Sequence, residues 1–309
     1  MAEGGRKWFK IGCFGCLGVI CVLILISVLL TFTAWLKVRN EKVVERVMDH
    51  AVPVASQPVE TGEITAEGAE EPEAAPGRVI LDLANGEFHI APAKPGEPIH
   101  VEAVYDTASY DLDENFQPDE GEGWSYRLHF HKTGSSLIAP LKFLLGASSP
   151  EVRIYLPMDV PMNLDVILSQ GGSQLELGGL WLTNAKFDLT MGGFELDIAE
   201  PLRHPMERLS FNISMGGGEI SNLGNASPRY LDVIHRMGGM ELDLRGQWMQ
   251  DSEISINSSM GGGLVRLPRN VEIRGLDSGR LRPPDESEIK PPALTFSVTS
   301  KMGELEIRH

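Results

Sequence analysis

The sequence predicts an all-β solenoid behind a single membrane-spanning segment, and three observations carry that reading. Beyond residue 77 apolar and polar residues alternate with period two. The same stretch repeats with a unit of about 22 residues. Near the N-terminus, residues 11–36 run 26 positions without a charge.

Taken in order, residues 1–10 form a short basic tail with Arg6, Lys7 and Lys10. Residues 11–36 would rise about 39 Å as a helix, against a hydrocarbon core of about 30 Å. A cleaved signal peptide fits less well, because the stretch exceeds an h-region of roughly 7–15 residues and TFTAWL leads into Lys37 with no small-x-small site. Cys13, Cys16 and Cys21 all lie inside this span, so no disulfide or thiolate site is available to residues 37–309. With Gly12, Gly15 and Gly18 they offer small side chains for a close helix contact.

Residues 37–52 place Val43, Val44, Val47 and Met48 in helical phase, which predicts a stalk helix. Residues 53–77 carry six glutamates and no basic residue among Pro, Ala and Gly, the composition of an extended, disordered linker. Residues 78–309 are the expected solenoid. Residues 47–309 hold 40 acidic against 20 basic residues, and this balance excludes a nucleic-acid partner, which needs a basic face. A cytoplasmic tail and a large acidic domain on the outer side is the simpler arrangement.

Within the solenoid, Phe187 and Leu189, Phe211 and Ile213, Leu231 and Val233, Ile254 and Ile256, and Phe296 and Val298 alternate with polar neighbours as half-buried strands do. A repeated phrase follows each: TMGGF, SMGGG, RMGGM, SMGGG and KMGEL. Its expected structural turns are Asn85 and Gly86, Gly192 and Gly193, Gly216 and Gly217, Gly238 and Gly239, Gly261 and Gly262, and Gly303, because tight corners take positive φ that Gly and Asn tolerate. A phosphate cradle would need a helix N-terminus, and here a strand pattern with Glu follows. The methionines before the glycines, Met191, Met215, Met237, Met260 and Met302, read as an inward ladder of gap-fillers, with a copper(I) site as the lesser alternative. Each unit is either a hairpin of a meander or a rung of a solenoid whose glycines mark a corner; in-phase repetition favours the solenoid.

The opening ILDLANGEFHIAP, the central VRIYLPMDVPMNLDVILSQGG, the MGG corners and the closing MGELEI together resemble the bacterial toastrack, or adhesin-like, family over residues 78–309. The resemblance implies a right-handed single-stranded β-helix used in envelope interaction, adhesion or stress sensing, and it brings no catalytic residues.

Chemistry is sparse. Asp111, Asp113, Asn115, Asp119 and Glu122 match ligand positions of a calcium loop, but Phe116 stands where the turn Gly is required, so a solvated acidic loop is preferred. His129 and His131, with His89 or His100, are a weak zinc set. Outward acids such as Glu195 and Asp197, or Glu241 and Asp243, are what strand surfaces carry, and no nucleophile elbow accompanies them. No cofactor is expected. The prediction is a non-enzymatic single-pass protein of the bacterial cell membrane that presents an acidic solenoid to a protein or surface partner. The alternatives are a regulatory or stress-sensing subunit, using the span or the apolar stretch 135–147, and a polysaccharide-acting β-helix enzyme.

Overall fold

The computed structural model describes residues 23–33, 35–36, 42–52, 75–118, 123–133, 149–276 and 291–308. Among the described residues, eighteen strands form one continuous sheet. It folds along the glycine corners into two walls, and a single apolar core fills the space between them.

Each rung contributes one strand to each wall. The first such pair in the chain is β2 (Gly77–Leu83) with β3 (Gly86–Pro92). The regular rungs are β8 (Met162–Leu168) with β9 (Gly171–Glu176), β10 (Leu182–Leu189) with β11 (Gly193–Asp197), and β12 (Arg208–Ile213) with β13 (Gly216–Ser221). In β14 (Tyr230–Asp243) and β15 (Ser252–Arg266) the strand runs unbroken through the corner. The last rung is β17 (Ala293–Ser300) with β18 (Gly303–Arg308), and short β16 (Glu272–Arg274) lies against β17. All these pairings are parallel, with one register shift between Leu182 and Asn184 where β10 meets β8; elsewhere equivalent residues sit side by side, as in Phe187 beside Phe211 and Phe211 beside Val233. One apolar stack therefore crosses the first wall, from Leu128 through Leu81, Val166, Phe187, Phe211, Val233 and Ile256 to Val298.

The rungs do not stack in simple chain order. β6 (Ser125–Lys132) and β7 (Glu151–Leu156) pair on the outer side of β2 and β3, while β8 and β9 pair on the other. A single-stranded helix wound in sequence order is thus corrected at this end. The end is closed by antiparallel strands: β5 (Tyr110–Gln117) on β6, β4 (Ile99–Asp106) on β7, and β1 (Val43–His50) on β4.

The expected stalk helix is therefore a strand, and residues 43–50 belong to the folded body. Val44, Met48 and His50 are its half-buried positions, and Arg46, which shares their face, stays exposed, so the period of two is interrupted by a charge. Arg46 Nη1 donates to Tyr105 Oη at 3.3 Å and to the Leu112 carbonyl at 3.2 Å, tying the two walls together across the end. The His50 ring stacks on Phe116 at 5.2 Å. Residues 23–33 are helical, with Leu23, Leu25 and Leu29 exposed. Residues 11–22 of the expected span lie outside the described residues, and no described helix is long and apolar enough to cross a membrane. The linker 53–77 is described only from residue 75 onward, and the stretch 135–147 lies wholly outside the described residues.

Another core lane carries an anomaly. Leu168, Leu189, Ile213, His235 and Ser258 align across consecutive rungs, and His235 is fully buried. Its Nδ1 lies 3.3 Å from Ser258 Oγ, and its Nε2 has no partner. Burial holds the imidazole below its ordinary pKa. As pH falls through about 6.5 the unfolded chain takes the proton first, so stability is lost on the acid side. His235→Leu, matching its neighbours, should raise stability by about 1 kcal/mol and flatten the loss between about pH 7 and pH 5; thermal melts across that range check both.

Candidate functional site

The outward face of the second wall carries three aligned rows. The first is the corner row. Strand registers place Asn85, Gln170, Met191, Met215, Met237, Met260 and Met302 in successive rungs, with Met237 directly beside Met260. These methionines do not fill the core: Met191, Met215, Met237 and Met260 are 41%, 40%, 39% and 43% exposed, and Met302 79%. The inward ladder is corrected here. At the corner the side chain before the positive-φ glycine points out, and inward phase resumes two residues before it.

The paired glycines, alike in sequence, do different things. Gly171, Gly192, Gly216, Gly238 and Gly261 have φ of 116–145°. A Cβ on any of them, or on Gly303, would come closer than 3.0 Å to the carbonyl oxygen of the equivalent glycine one rung away. Here glycine is demanded by turn and stacking together. Asn85 takes φ 65° at the first copy and Met302 φ 34° at the last. The next position, Gly172, Gly193, Gly239 and Gly262, has ordinary φ, and a Cβ there would meet nothing within 4 Å; at Gly217 it would meet only the Gly239 carbonyl at 3.8 Å. These five glycines pair side by side, bounded by Glu87 at one end and Glu304 at the other. They make a strip of bare backbone about 19 Å long at the usual strand spacing.

The third row, two residues further on, is Arg153, His89, Gln174, Glu195, Glu219 and Glu241. Gly172, Gly193 and Gly217 of the strip, with Arg153, His89, Gln174, Glu195 and Glu219 of this row, floor an open groove of about 930 Å³, with Glu87, Glu151 and Tyr155 on its walls. Arg153 Nε donates to Glu151 at 2.7 Å, and Glu241 is paired with Arg266 at 2.5 Å. At the far end, burial pushes the Asp243 carboxyl up, but the adjoining Arg245 guanidinium outweighs it and holds the group below its usual range.

The other expected residues are dispersed. Asp111, Asp113 and Asn115 lie on the extended strand β5, not in a loop, and at about 3.4 Å per residue a strand cannot wrap them around one ion. Asp119 and Glu122 lie outside the described residues. His129 and His131 are neighbours on β6, rings 4.5 Å apart, with His129 Nδ1 3.0 Å from Asp82. His89 and His100 stand on the other wall; His100 contacts Asp49 at 2.6 Å and Glu102 at 3.2 Å, and the Asp49 hydrogen bond raises its pKa. Among the described residues, no group of three or more His, Cys, Asp or Glu is placed to hold a metal ion. The bare strip was not foreseeable from sequence, since both glycines of a pair look like turn residues.

Fold and face together define the class: a two-walled β-solenoid with one open, glycine-floored side. No family model matches the chain, and no curated protein does. Its structural neighbours include candidate adhesins that align over nearly their whole length. A candidate cell adhesion protein from Clostridium sporogenes shares 12% identity over 86% of this chain and 99% of its own, at a TM-score of 0.38. A candidate adhesin from Bacteroides fragilis shares 9% over 87% and 98%, at 0.42. A candidate lipid-binding protein from Parabacteroides distasonis shares 11% over 87% and 97%, at 0.29. At these scores the likeness carries no argument about function, which has to be drawn from the face itself.

Proposed function

We propose that the protein is a non-enzymatic, adhesin-like binding module of the bacterial envelope, anchored through residues 11–36, whose solenoid meets a protein or surface partner along the glycine-floored groove. The observation that carries this reading is the strip Gly172, Gly193, Gly217, Gly239 and Gly262. Strand interiors disfavour glycine, and where neither φ nor packing requires it, glycine marks close approach of another molecule to the backbone. The flanking Glu195 and Glu219 fit a partner with positive charges, in keeping with the net charge of −16.

Filling the strip tests this without disturbing the fold, because the space above it is open. Full-length protein is crosslinked in native membranes and its neighbours are identified by mass spectrometry. Gly172→Phe and Gly193→Phe should leave the melting temperature within about 2 °C, as surface changes do, and cut partner crosslinks at least about tenfold. Unchanged crosslinks would remove the groove as the site, and release of the chain by alkaline carbonate would remove the anchor. A single membrane-protein neighbour would move the reading towards a regulatory subunit. Turnover of a polysaccharide would replace binding with catalysis.

A further inference from the structure

Packing leaves the methionines of the corner row unexplained. Met usually fills irregular gaps in cores, yet four of these five are about two-fifths exposed and the fifth more so. The corner itself does not demand a thioether, since Asn85 and Gln170 hold the same position in the two preceding rungs. Five consecutive rungs of the row nonetheless carry one.

We propose that Met191, Met215, Met237, Met260 and Met302 form a surface site for soft monovalent cations of the copper(I) and silver(I) kind, each ion held between thioether sulfurs of adjacent rungs. Three observations converge. Thioethers are soft ligands that select such ions over the harder divalent metals. Parallel pairing places Met237 beside Met260, and the glycine registers place Met191 beside Met215, Met215 beside Met237 and Met260 beside Met302. The strand spacing of about 4.8 Å puts neighbouring rungs close enough for one ion to bridge them, and the flexible Met side chain lets two sulfurs converge without moving the backbone. The carboxylates beyond the glycine strip add a negative field that concentrates cations, while as hard ligands they compete poorly for a soft ion. The site does not depend on the groove having a partner.

Thioethers carry no proton, and this separates the proposed site from any other on the molecule. Imidazole, carboxylate and thiolate ligands lose affinity as acid protonates them; a thioether site does not.

The test uses full-length protein in detergent with Cys13, Cys16 and Cys21 replaced by Ser, removing the thiol competitors. It is labelled with methyl-¹³C methionine and titrated with silver(I) nitrate alone. The methyl signals of the row residues should shift saturably with about two equivalents, since each ion takes two of the five sulfurs. Those of the buried Met162, Met206 and Met240 should stay still. Affinity should agree within about twofold between about pH 5 and pH 8. The Met→Leu variant at all five positions keeps the apolar surface; with an unchanged circular dichroism spectrum it should lose affinity at least about tenfold. If that variant fails to fold, the Met237→Leu/Met260→Leu pair should remove the shifts at its own rungs. Row methyls that do not move, equal binding by the Leu variant, or affinity that collapses in acid would each overturn the proposal.

Discussion

Gly238→Ala should destabilise the protein by about 2–5 kcal/mol, while Gly239→Ala, one residue later, should change stability by less than about 1 kcal/mol and in the favourable direction. At residue 238 two costs combine. The backbone sits at φ 116°, which a side chain adopts only with strain of about 1–3 kcal/mol. A Cβ there also runs into the Gly216 carbonyl of the neighbouring rung, and forcing extra volume into a packed contact costs about 1–3 kcal/mol more. At residue 239 neither applies, and Ala removes some freedom from the unfolded chain, which is worth about 0.4–1 kcal/mol. For a folded body of this size the first change should lower the melting temperature by roughly 5–15 °C. Urea denaturation of both variants, followed by far-UV circular dichroism, checks the contrast. Equal losses would mean that the two glycines share a role and that the open strip is an incidental feature of the turn.

Phe211→Ala should cost about 3–5 kcal/mol, the usual range for deleting a buried ring. Phe211 is fully buried and its ring lies 5.1 Å from that of Phe187 at 13°, two stacked rungs of the same apolar lane. Truncation leaves a cavity in the middle of the stack, with frame on both sides that cannot collapse into it because the strand registers are set by the ladders. Ser210→Ala, next to it but facing outward, should stay within about 0.5 kcal/mol. Denaturant midpoints of the two variants measure the difference. A small loss at Phe211 would show that the rungs are held by backbone pairing far more than by the core.

Both results bear on how the molecule can be read from its residues. The period-two alternation placed Phe187, Leu189, Phe211 and Ile213 in the core correctly, because alternation follows directly from strand geometry and needs no knowledge of neighbours. The repeat likewise located the corners. The same logic failed at Val43–His50, where Arg46 and His50 stand on the core-side face in place of the apolar residues that would reveal a strand; their partners Tyr105, Leu112 and Phe116 lie more than fifty residues away in sequence. It failed again at the methionines. Counting from the strands assigns them to the inner face, but a positive-φ residue turns the chain and breaks the count at the corner itself.

Of the candidate residues, Glu195 and Glu241 were legible as outward acids, and tertiary alignment joins them to Glu219 in one row; Asp243, expected outward with them, is buried. Asp111, Asp113 and Asn115 looked like a loop because their spacing is that of a calcium motif, and pairing with β6 pulls them into a strand instead.

What the sequence by itself determined is the local grammar: all-β structure, rungs of about 22 residues, corners at the MGG phrases and an acidic exterior. These depend on side-chain period, on the conformational freedom of glycine and on summed charge, all of which act within a few residues or over the whole chain. What only the tertiary structure decided is which rung lies beside which, and therefore which of two identical glycines is forced and which is free. That distinction is made by a carbonyl oxygen contributed from the neighbouring rung, and the thioether row and the bare strip exist only once the rungs are stacked.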